Sequence, residues 1–427
     1  MLTPRPGRAE RRTRALLGSL CLFLSAVEYL IPKPLPFMRI GLANLPLLLA
    51  LDIFGPGDFF LLALLKVIGQ GIISASLFSY VFLFSLAGTF ASAALMYGMR
   101  RIMGTKHVGF TGIGCAGAML SNGVQLLLAR YFVFGTGLRF LVPPFLVSGF
   151  ISGAGLGLFC EAFCRRSQWY AQHTGSRQAG DSGAALAGAS KAGGVSTERP
   201  AVVPAPQAGP KTAEARRFLR RQRWNDRFNS DELCIAGLLM AMFFLFSPST
   251  LLRIPQFVFF CFLAWLSGKK YNPLISALIM AGIVFCNLLA PYGKILAAWG
   301  PLRITQGSLI GGLGRAVTLE GLVMLSGACV KPDIRLPGGL GNLLGESFRI
   351  LEQMRERRAS FRRGHIIEGI DRLLLELEAA PEGPGVPPER PERNAKSLLL
   401  LAGMTALTAV LGPAAIGILP KSFILSP

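Results

Sequence analysis

The sequence predicts an all-α, polytopic membrane protein, and three observations support this fold class. Of the 427 residues, 52% are hydrophobic and only 16% are charged, against about 25% charged in ordinary soluble domains. The mean hydropathy is +0.49. Apolar runs of membrane-spanning length recur along the chain, and short segments rich in proline, glycine or basic residues separate them.

The first predicted domain, residues 1–167, is a six-helix membrane bundle. Its apolar runs lie at 15–31, 40–54, 59–77, 80–98, 108–134 and 140–163. Some are near the lower limit of about 17 to 25 residues that a spanning helix needs. An arginine-rich start before the first run resembles a signal peptide. Because Glu28 and the proline turn at 32–36 stand where a cleavage site is expected, we predict a retained first helix.

The composition changes to alanine, glycine, serine and proline between residues 168 and 229, with few large apolar residues. Such segments cannot bury enough apolar surface to order themselves. We therefore predict a flexible cytoplasmic linker at 168–229 that joins two membrane domains.

The second predicted domain, residues 230–427, has four to five spans. Its apolar runs lie at 233–251, 257–266, 273–289, 307–330 and 397–419. Between the last two, apolar residues such as Leu344, Phe348, Leu351 and Met354 recur at three- and four-residue spacing among Arg and Glu. This periodicity predicts a cytoplasmic amphipathic segment at 343–377.

The net charge of +21 comes from 44 Lys and Arg against 23 Asp and Glu, and the basic clusters flank the apolar runs. Basic residues favour the cytoplasmic side of a membrane, so the amino terminus and the linker are predicted to be cytoplasmic, in a multi-pass protein of the cell (inner, cytoplasmic) membrane. The predicted partner of these clusters is the lipid bilayer. No basic and aromatic platform interleaves them, so we expect no nucleic-acid binding.

The sequence lacks the residue patterns expected for metal binding, for phosphate chemistry and for ATP hydrolysis. The eight cysteines form no CxxC pair, the three histidines are scattered, and the aspartates form no paired acidic cluster. A GxxxxGK[ST] phosphate loop is missing as well. We therefore expect no enzymatic activity, no catalytic residues, no metal and no cofactor. Active transport by this chain would require separate ATPase subunits.

Polar side chains inside the first bundle are the candidate functional residues, because each costs a few kcal/mol to place in a bilayer. Lys66 and Gln70 share one helix face, as do Asn122 and Gln125. The predicted ligand-binding set is Glu28, Asn44, Lys66, Gln70, Asn122 and Gln125. The alternatives are hydrogen bonds between helices, or a Lys66 that extends to the membrane surface. For Arg315 and Glu320, in the second half, a structural role is the expected one.

A stretch in the first half, AVEYLIPKPLPFMRIGLANLPLLLALDIFG at 26–55, resembles the family called heptaprenyl diphosphate synthase component I, or Gx transporter. Further matches are FSLAGTFAS at 84–92 and LSNGVQLLLARY at 120–131, and the resemblance covers residues 15–163. That family is similar in size and helix count to the substrate-binding S components of energy-coupling factor transporters. The resemblance implies a bundle that binds a small-molecule substrate.

The second half resembles the transmembrane T component of the same transporters. The similar parts are ITQGSLIGGLGRAVTLEGLVMLS at 304–326 and ESFRILEQMRERRASFRRG at 346–364. T components dock into cytoplasmic ATPase subunits through an Ala-x-Arg-Gly-like motif, here ASFRRG at 359–364 with extra residues. The resemblance therefore implies ATPase coupling through Arg355, Arg362, Arg363 and Gly364. The alternative for 346–364 is a helix on the membrane surface.

Two functions are compatible with these patterns. The first is a membrane subunit of an energy-coupling factor uptake transporter, which binds a small molecule and couples to separate ATPases. The alternative is a non-catalytic membrane accessory component of isoprenoid or quinone synthesis, which binds a prenyl chain without transferring it.

Overall fold

The computed structural model describes residues 8–30, 41–179, 212–247, 249–269, 272–299, 302–331, 338–356, 366–379 and 395–411. Within these ranges the chain is helical apart from one short hairpin, which confirms the predicted all-α class.

The first bundle contains one helix for each apolar run predicted there. These helices are α1 (Arg8–Leu30), α2 (Leu45–Ile53), α3 (Pro56–Ile73), α4 (Tyr80–His107), α5 (Phe110–Ala129) and α6 (Val142–Arg166). Pro56 lies in the first turn of α3, where its missing N–H leaves no hydrogen bond unmade. Helices α5 and α6 approach closely, because a Cβ on Gly114 would lie 2.7 Å from the Gly153 carbonyl oxygen. A π-helical turn (Arg130–Phe134) and a 3₁₀ turn (Gly135–Phe140) connect them.

The predicted linker differs from the structure at both of its ends. Residues 168–179 lie in α7 (Gln168–Ala179), and residues 212–227 form α8 (Thr212–Arg227). Trp169 of α7 and Trp224 of α8 are buried, and such aromatic anchors provide the apolar surface that the surrounding composition lacks. The middle of the predicted linker, 180–211, lies outside the described residues.

The second half contains seven helices in the described ranges and the hairpin. The helices are α9 (Ser230–Leu245), α10 (Thr250–Leu266), α11 (Pro273–Leu288), α12 (Gln306–Cys329), α13 (Gly338–Glu356), α14 (Ile366–Ala379) and α15 (Ala395–Leu411). Polar caps begin three of them: Asn229, Ser249 and Asn272 each accept a hydrogen bond from a backbone N–H in the first turn of the following helix. The antiparallel hairpin of β1 (Ile295–Trp299) and β2 (Leu302–Thr305) was not predicted.

Five described helices, α3, α4, α5, α6 and α12, are long and apolar enough to cross a membrane. Helices α8 and α9 make a sixth span if they are counted together, with a bend of 95° between them. Helices α2, α10, α11 and α15 are apolar but have at most 17 residues. The chain is therefore a multi-pass membrane protein.

The amphipathic segment at 343–377, which the sequence placed in the second domain, packs against the first bundle. Leu344, Leu351 and Met354 of α13 are buried in the same core as Leu16 and Leu17 of α1. The Ser347 hydroxyl donates to the Ala15 carbonyl of α1 over 3.3 Å. This core of the first bundle therefore includes helices from both ends of the sequence.

Helix α14 contacts α7 through two carboxylates, those of Asp371 and Glu378. Asp371 accepts hydrogen bonds from the Ser167 hydroxyl and from the backbone N–H groups of Gln168 and Trp169, at 3.1 and 3.0 Å from those nitrogens. A carboxylate at this place favours the helix, because the first N–H groups of α7 have no partner within the helix. Glu378 lies 2.6 Å from the Trp169 indole nitrogen and 3.1 Å from Nε2 of His173.

The two halves also meet through α11, α12 and the turns after α5. Ile283, Ala316 and Leu319 share an apolar cluster with Val133 and Phe134. A polar link crosses the same interface. Arg315 donates to Oδ1 of Asn287 over 2.7 Å, and the Asn287 amide donates to the Val133 carbonyl over 3.1 Å.

Candidate functional site

Helix α3 carries the lysine and one of the amides of the predicted site. Lys66 and Gln70 are one turn apart, and both are buried, at 5% and 8% exposure. The Lys66 ammonium donates to Oδ1 of Asn44 and lies 3.4 Å from the Thr89 hydroxyl of α4. Because these contacts lie inside the bundle, Lys66 does not extend to the membrane surface.

The segment before α2 places Asn44 beside this lysine and contacts Glu28 of α1. Gly41 has a φ of +83°, a conformation that glycine adopts without strain. Its backbone N–H donates to Oε1 of Glu28 over 3.2 Å, and a 3₁₀ turn (Leu42–Asn44) then directs Asn44 towards Lys66. Glu28 is 1% exposed. The residues Gly-Leu-Ala-Asn at 41–44, within the stretch that carries the family resemblance, therefore contact Glu28 and position Asn44 at this site.

Helix α5 contributes the remaining two amides. The Asn122 amide donates to the Phe145 carbonyl of α6 over 3.1 Å, and the Gln125 amide donates to the Ser121 hydroxyl over 2.9 Å. Glycines on the neighbouring helices make room for these side chains. A Cβ on Gly149 would lie 2.1 Å from the Asn122 amide nitrogen, and one on Gly88 would lie 2.9 Å from the Ser121 hydroxyl.

These groups surround one cavity of about 40 Å³ inside the first bundle. All six residues predicted to bind a ligand line it: Glu28, Asn44, Lys66, Gln70, Asn122 and Gln125. The structure therefore brings the predicted set together, although the residues come from α1, α3, α5 and the turn before α2. Oε1 of Gln70 is buried there and accepts no hydrogen bond from the residues that the structure describes.

Four hydroxyl-bearing residues line the same cavity and were not predicted: Ser85, Thr89, Ser121 and Ser152. Serine and threonine in membrane helices often bond to their own backbone, so their presence alone does not indicate a site. A usable signal was available, because Ser85, Thr89 and Ser121 lie in the stretches 84–92 and 120–131 that carry the family resemblance.

Both polar and apolar residues line the cavity. Among its lining side chains, only Glu28 and Lys66 are charged; the other polar side chains offer amides and hydroxyls, and Leu48, Met96 and Leu156 are apolar. Within the described ranges, the chain has no group of three or more His, Cys, Asp or Glu residues that could hold a metal ion. The site can therefore donate and accept several hydrogen bonds to a small polar molecule.

The residues predicted for ATPase coupling are only partly described. Arg355 lies on α13 with 65% of its side chain exposed and 3.3 Å from Glu352. Arg362, Arg363 and Gly364 lie outside the described residues. The apolar face of α13 is covered by α1 of the same chain. The Ser19 hydroxyl of α1, for example, lies 3.8 Å from the sulfur of Met354.

The second-half residues Arg315 and Glu320 take part in contacts between helices. Arg315 bonds to Asn287 at the interface of the two halves. Glu320, which is 4% exposed, accepts a hydrogen bond from the Ser276 hydroxyl of α11. Neither residue lines the cavity of the first bundle.

Comparisons with known proteins give two family matches along the chain. Residues 232–331 match a family described only as a domain of unknown function. No curated protein and no solved structure matches the chain. Residues 17–163 match the family described as heptaprenyl diphosphate synthase component I, and this match confirms the resemblance predicted for the first half of the chain.

Proposed function

We propose that this chain is a membrane subunit of an energy-coupling factor type uptake transporter and that its first bundle binds the transported molecule. The observation that carries the proposal is the convergence of six polar side chains on one buried cavity. Polar groups within a bilayer are stable only when they face partners or a cavity, and they are costly to retain for packing alone. Their convergence favours a binding site over scattered contacts between helices.

The cavity chemistry favours a small polar substrate with both donor and acceptor groups. Lys66 and Glu28 offer one positive and one negative group, and neighbouring amides and hydroxyls can bond to uncharged atoms. The balance of charges suits a zwitterion or a neutral polar molecule better than a multiply charged anion. No catalytic role is proposed for these residues, and the chain is proposed to act without enzymatic activity.

The size of the cavity implies that the bundle opens to load its substrate. A volume of about 40 Å³ holds only a few water molecules, whereas small-molecule sites usually measure about 300 to 1,000 Å³. Helix separation can supply the difference. The break between α5 and α6 is a suitable hinge, because a π-helical turn is often found at functional sites.

Coupling to ATPase subunits is proposed to use the basic end of α13 and the residues that follow it. Arg355 is exposed, while the opposite face of α13 is buried against α1. Helix α1 also carries Glu28 into the cavity. A partner that moves α13 would therefore also move a group that lines the binding site. We propose that this coupling surface faces the cytoplasm, on the side predicted from the basic clusters.

The binding proposal is tested with the full-length chain purified from its own membrane. Mass spectrometry identifies the small molecule that it releases, and titration then measures the affinity for that molecule. Replacing Lys66→Met should weaken binding by roughly tenfold or more, because a charge-assisted hydrogen bond contributes about 1.5–3 kcal/mol. The matched control is Lys294→Met, because Lys294 is exposed and is not among the residues that line the cavity. Equal affinity in both variants would contradict the site.

The alternative function, a non-catalytic accessory role in prenyl diphosphate synthesis, is favoured by the description of the matching family. The cavity is less suited to it. A diphosphate carries several negative charges, and Lys66 is the only cation among the lining residues, with Glu28 opposing it. Co-purification distinguishes the two functions. ATPase subunits that bind wild-type protein but not Arg355→Glu support transport, whereas a prenyltransferase subunit in their place supports the alternative.

A further inference from the structure

Helix α8 presents a row of arginines at one side of a surface cleft. Arg216, Arg220 and Arg223 recur at spacings of four and three residues, which places them on the same helix face. Together with Leu219 and Trp265 of α10 they line a cleft of about 420 Å³. This volume lies within the usual range of small-molecule sites and is about ten times that of the cavity in the first bundle.

The cleft contains a cation that has hydrogen-bonding capacity left. The Arg220 guanidinium lies over the Trp265 ring, 4.3 Å from its centroid. Its Nε is buried and has no hydrogen-bond partner among the described residues. Arginine binds phosphate through its N–H donors, and stacking on Trp265 holds the partly exposed Arg220 side chain at the cleft, where its terminal N–H groups can meet such a group.

The orientation of α8 indicates where a phosphate would come from. Helix α8 makes an angle of 95° with α9, which is apolar and belongs to the membrane domain. The arginine-rich helix α8 is too polar for the hydrocarbon core, so at this angle to the apolar helix α9 it suits the membrane surface. Phe218 and Leu219 of α8 are 68% and 52% exposed, as is typical of helices that insert apolar residues between lipids. Basic clefts at this level meet lipid headgroups.

We propose that the cleft formed by α8 and Trp265 binds the headgroup of an anionic phospholipid. The phosphate accepts hydrogen bonds from Arg220 and Arg223, and Trp265 lies beside the upper part of the acyl chains. Buried Trp224 and Phe228 pack α8 onto the core that α9, α10 and α12 form. A bound lipid therefore contacts α8 and α10 together and fixes their angle at the start of the second membrane domain.

Native mass spectrometry of the full-length protein tests the site, with phosphatidylglycerol or phosphatidylcholine added in increasing amounts. Wild-type protein should bind phosphatidylglycerol more tightly than phosphatidylcholine. The double variant Arg220→Gln, Arg223→Gln should bind phosphatidylglycerol roughly twenty-five-fold less tightly, because each arginine near an anionic surface contributes about fivefold. The matched control, Arg217→Gln with Arg221→Gln, removes equal charge from the same helix outside the cleft.

Three outcomes overturn the proposal. The first is an equal loss of affinity in the two double variants, which indicates attraction to the net charge of α8 alone. The second is wild-type affinity in the site variant. The third is displacement of phosphatidylglycerol by inorganic phosphate at equal concentration, which indicates that the cleft takes a free anion. A second variant, Trp265→Leu, leaves the charge unchanged and should also weaken phosphatidylglycerol binding, and size-exclusion elution at the wild-type volume verifies that each variant is folded.

Discussion

At the scale of single residues, the pair formed by His173 and Glu378 joins α7 to α14. The hydrogen bond to Glu378 is the main cause that raises the pKa of His173 above its ordinary value of 6.5. Burial acts against the charged form of Glu378, but the hydrogen bond and the charge of His173 lower its pKa below the ordinary 4.5. Each partner therefore stabilises the charged form of the other.

The sign of these shifts predicts how the stability of the bundle depends on pH. The contribution of His173 is complete below pH 6.5 and is lost as the pH rises through its higher folded value. The contribution of Glu378 is present above pH 4.5 and is lost at lower pH. Thermal unfolding in detergent should therefore show a midpoint roughly 2 °C higher at pH 6 than at pH 8. His173→Gln should remove most of this difference, and an unchanged difference would exclude the pair as its source.

At the scale of elements, the contact between α13 and α1 differs from the sequence prediction, which assigned residues 343–377 to the second domain. The amphipathic pattern of 343–377 shows an apolar face, but a pattern does not show what covers that face. In the structure this apolar face is covered by α1. Gly18 of α1 leaves room for the Ser347 hydroxyl of α13. A substituted Cβ on Gly18 would lie 2.7 Å from that oxygen, so the close approach requires glycine.

Shortening a buried side chain of α13 should therefore destabilise the first bundle. Met354 is 1% exposed, and truncating such a residue to alanine costs about 2–5 kcal/mol. We expect Met354→Ala to lower the unfolding midpoint by several degrees and to weaken binding of the small molecule. The neighbouring Arg355→Ala, whose side chain is largely exposed, should change the midpoint little. Equal midpoints for both variants would show that α13 is not part of the folded bundle.

At the scale of the whole molecule, the two halves are held together by packing as well as by the chain. Asn287 and Arg315 link α11 and α12 to the turn after α5, and α13 and α14 lie on α1 and α7. The connection at 180–211 is therefore not the only attachment between them.

Cleavage of this connection should leave the halves associated. We expect a protein with a protease site introduced between residues 180 and 211 to elute as one species after complete cleavage, and to keep its ligand. Two controls are measured in the same way: the uncleaved protein, and a cleaved protein that also carries Met354→Asp. Elution of two separate fragments from the cleaved protein without Met354→Asp would show that the contacts above are too weak to hold the halves together.

The sequence by itself determined the membrane class, the approximate helix positions and the identity of six residues around the cavity. Hydropathy and helical spacing are local properties, so Lys66 with Gln70 and Asn122 with Gln125 could be recognised as polar helix faces inside apolar runs. Buried polar groups in lipid need hydrogen-bond partners or a polar cavity, and this requirement is the reason that a shared site was expected.

The tertiary structure alone decided the contribution of the serine and threonine hydroxyls, the packing of α13 and α14 on the first bundle, and the cleft between α8 and Trp265. Each of these depends on contacts between residues that are distant in sequence, such as Ser347 with Ala15 and Arg220 with Trp265. The hydrophobic effect favours burial of an apolar face without specifying its partner. The shapes of the packed helices, including the space left at glycines such as Gly18 and Gly149, select that partner.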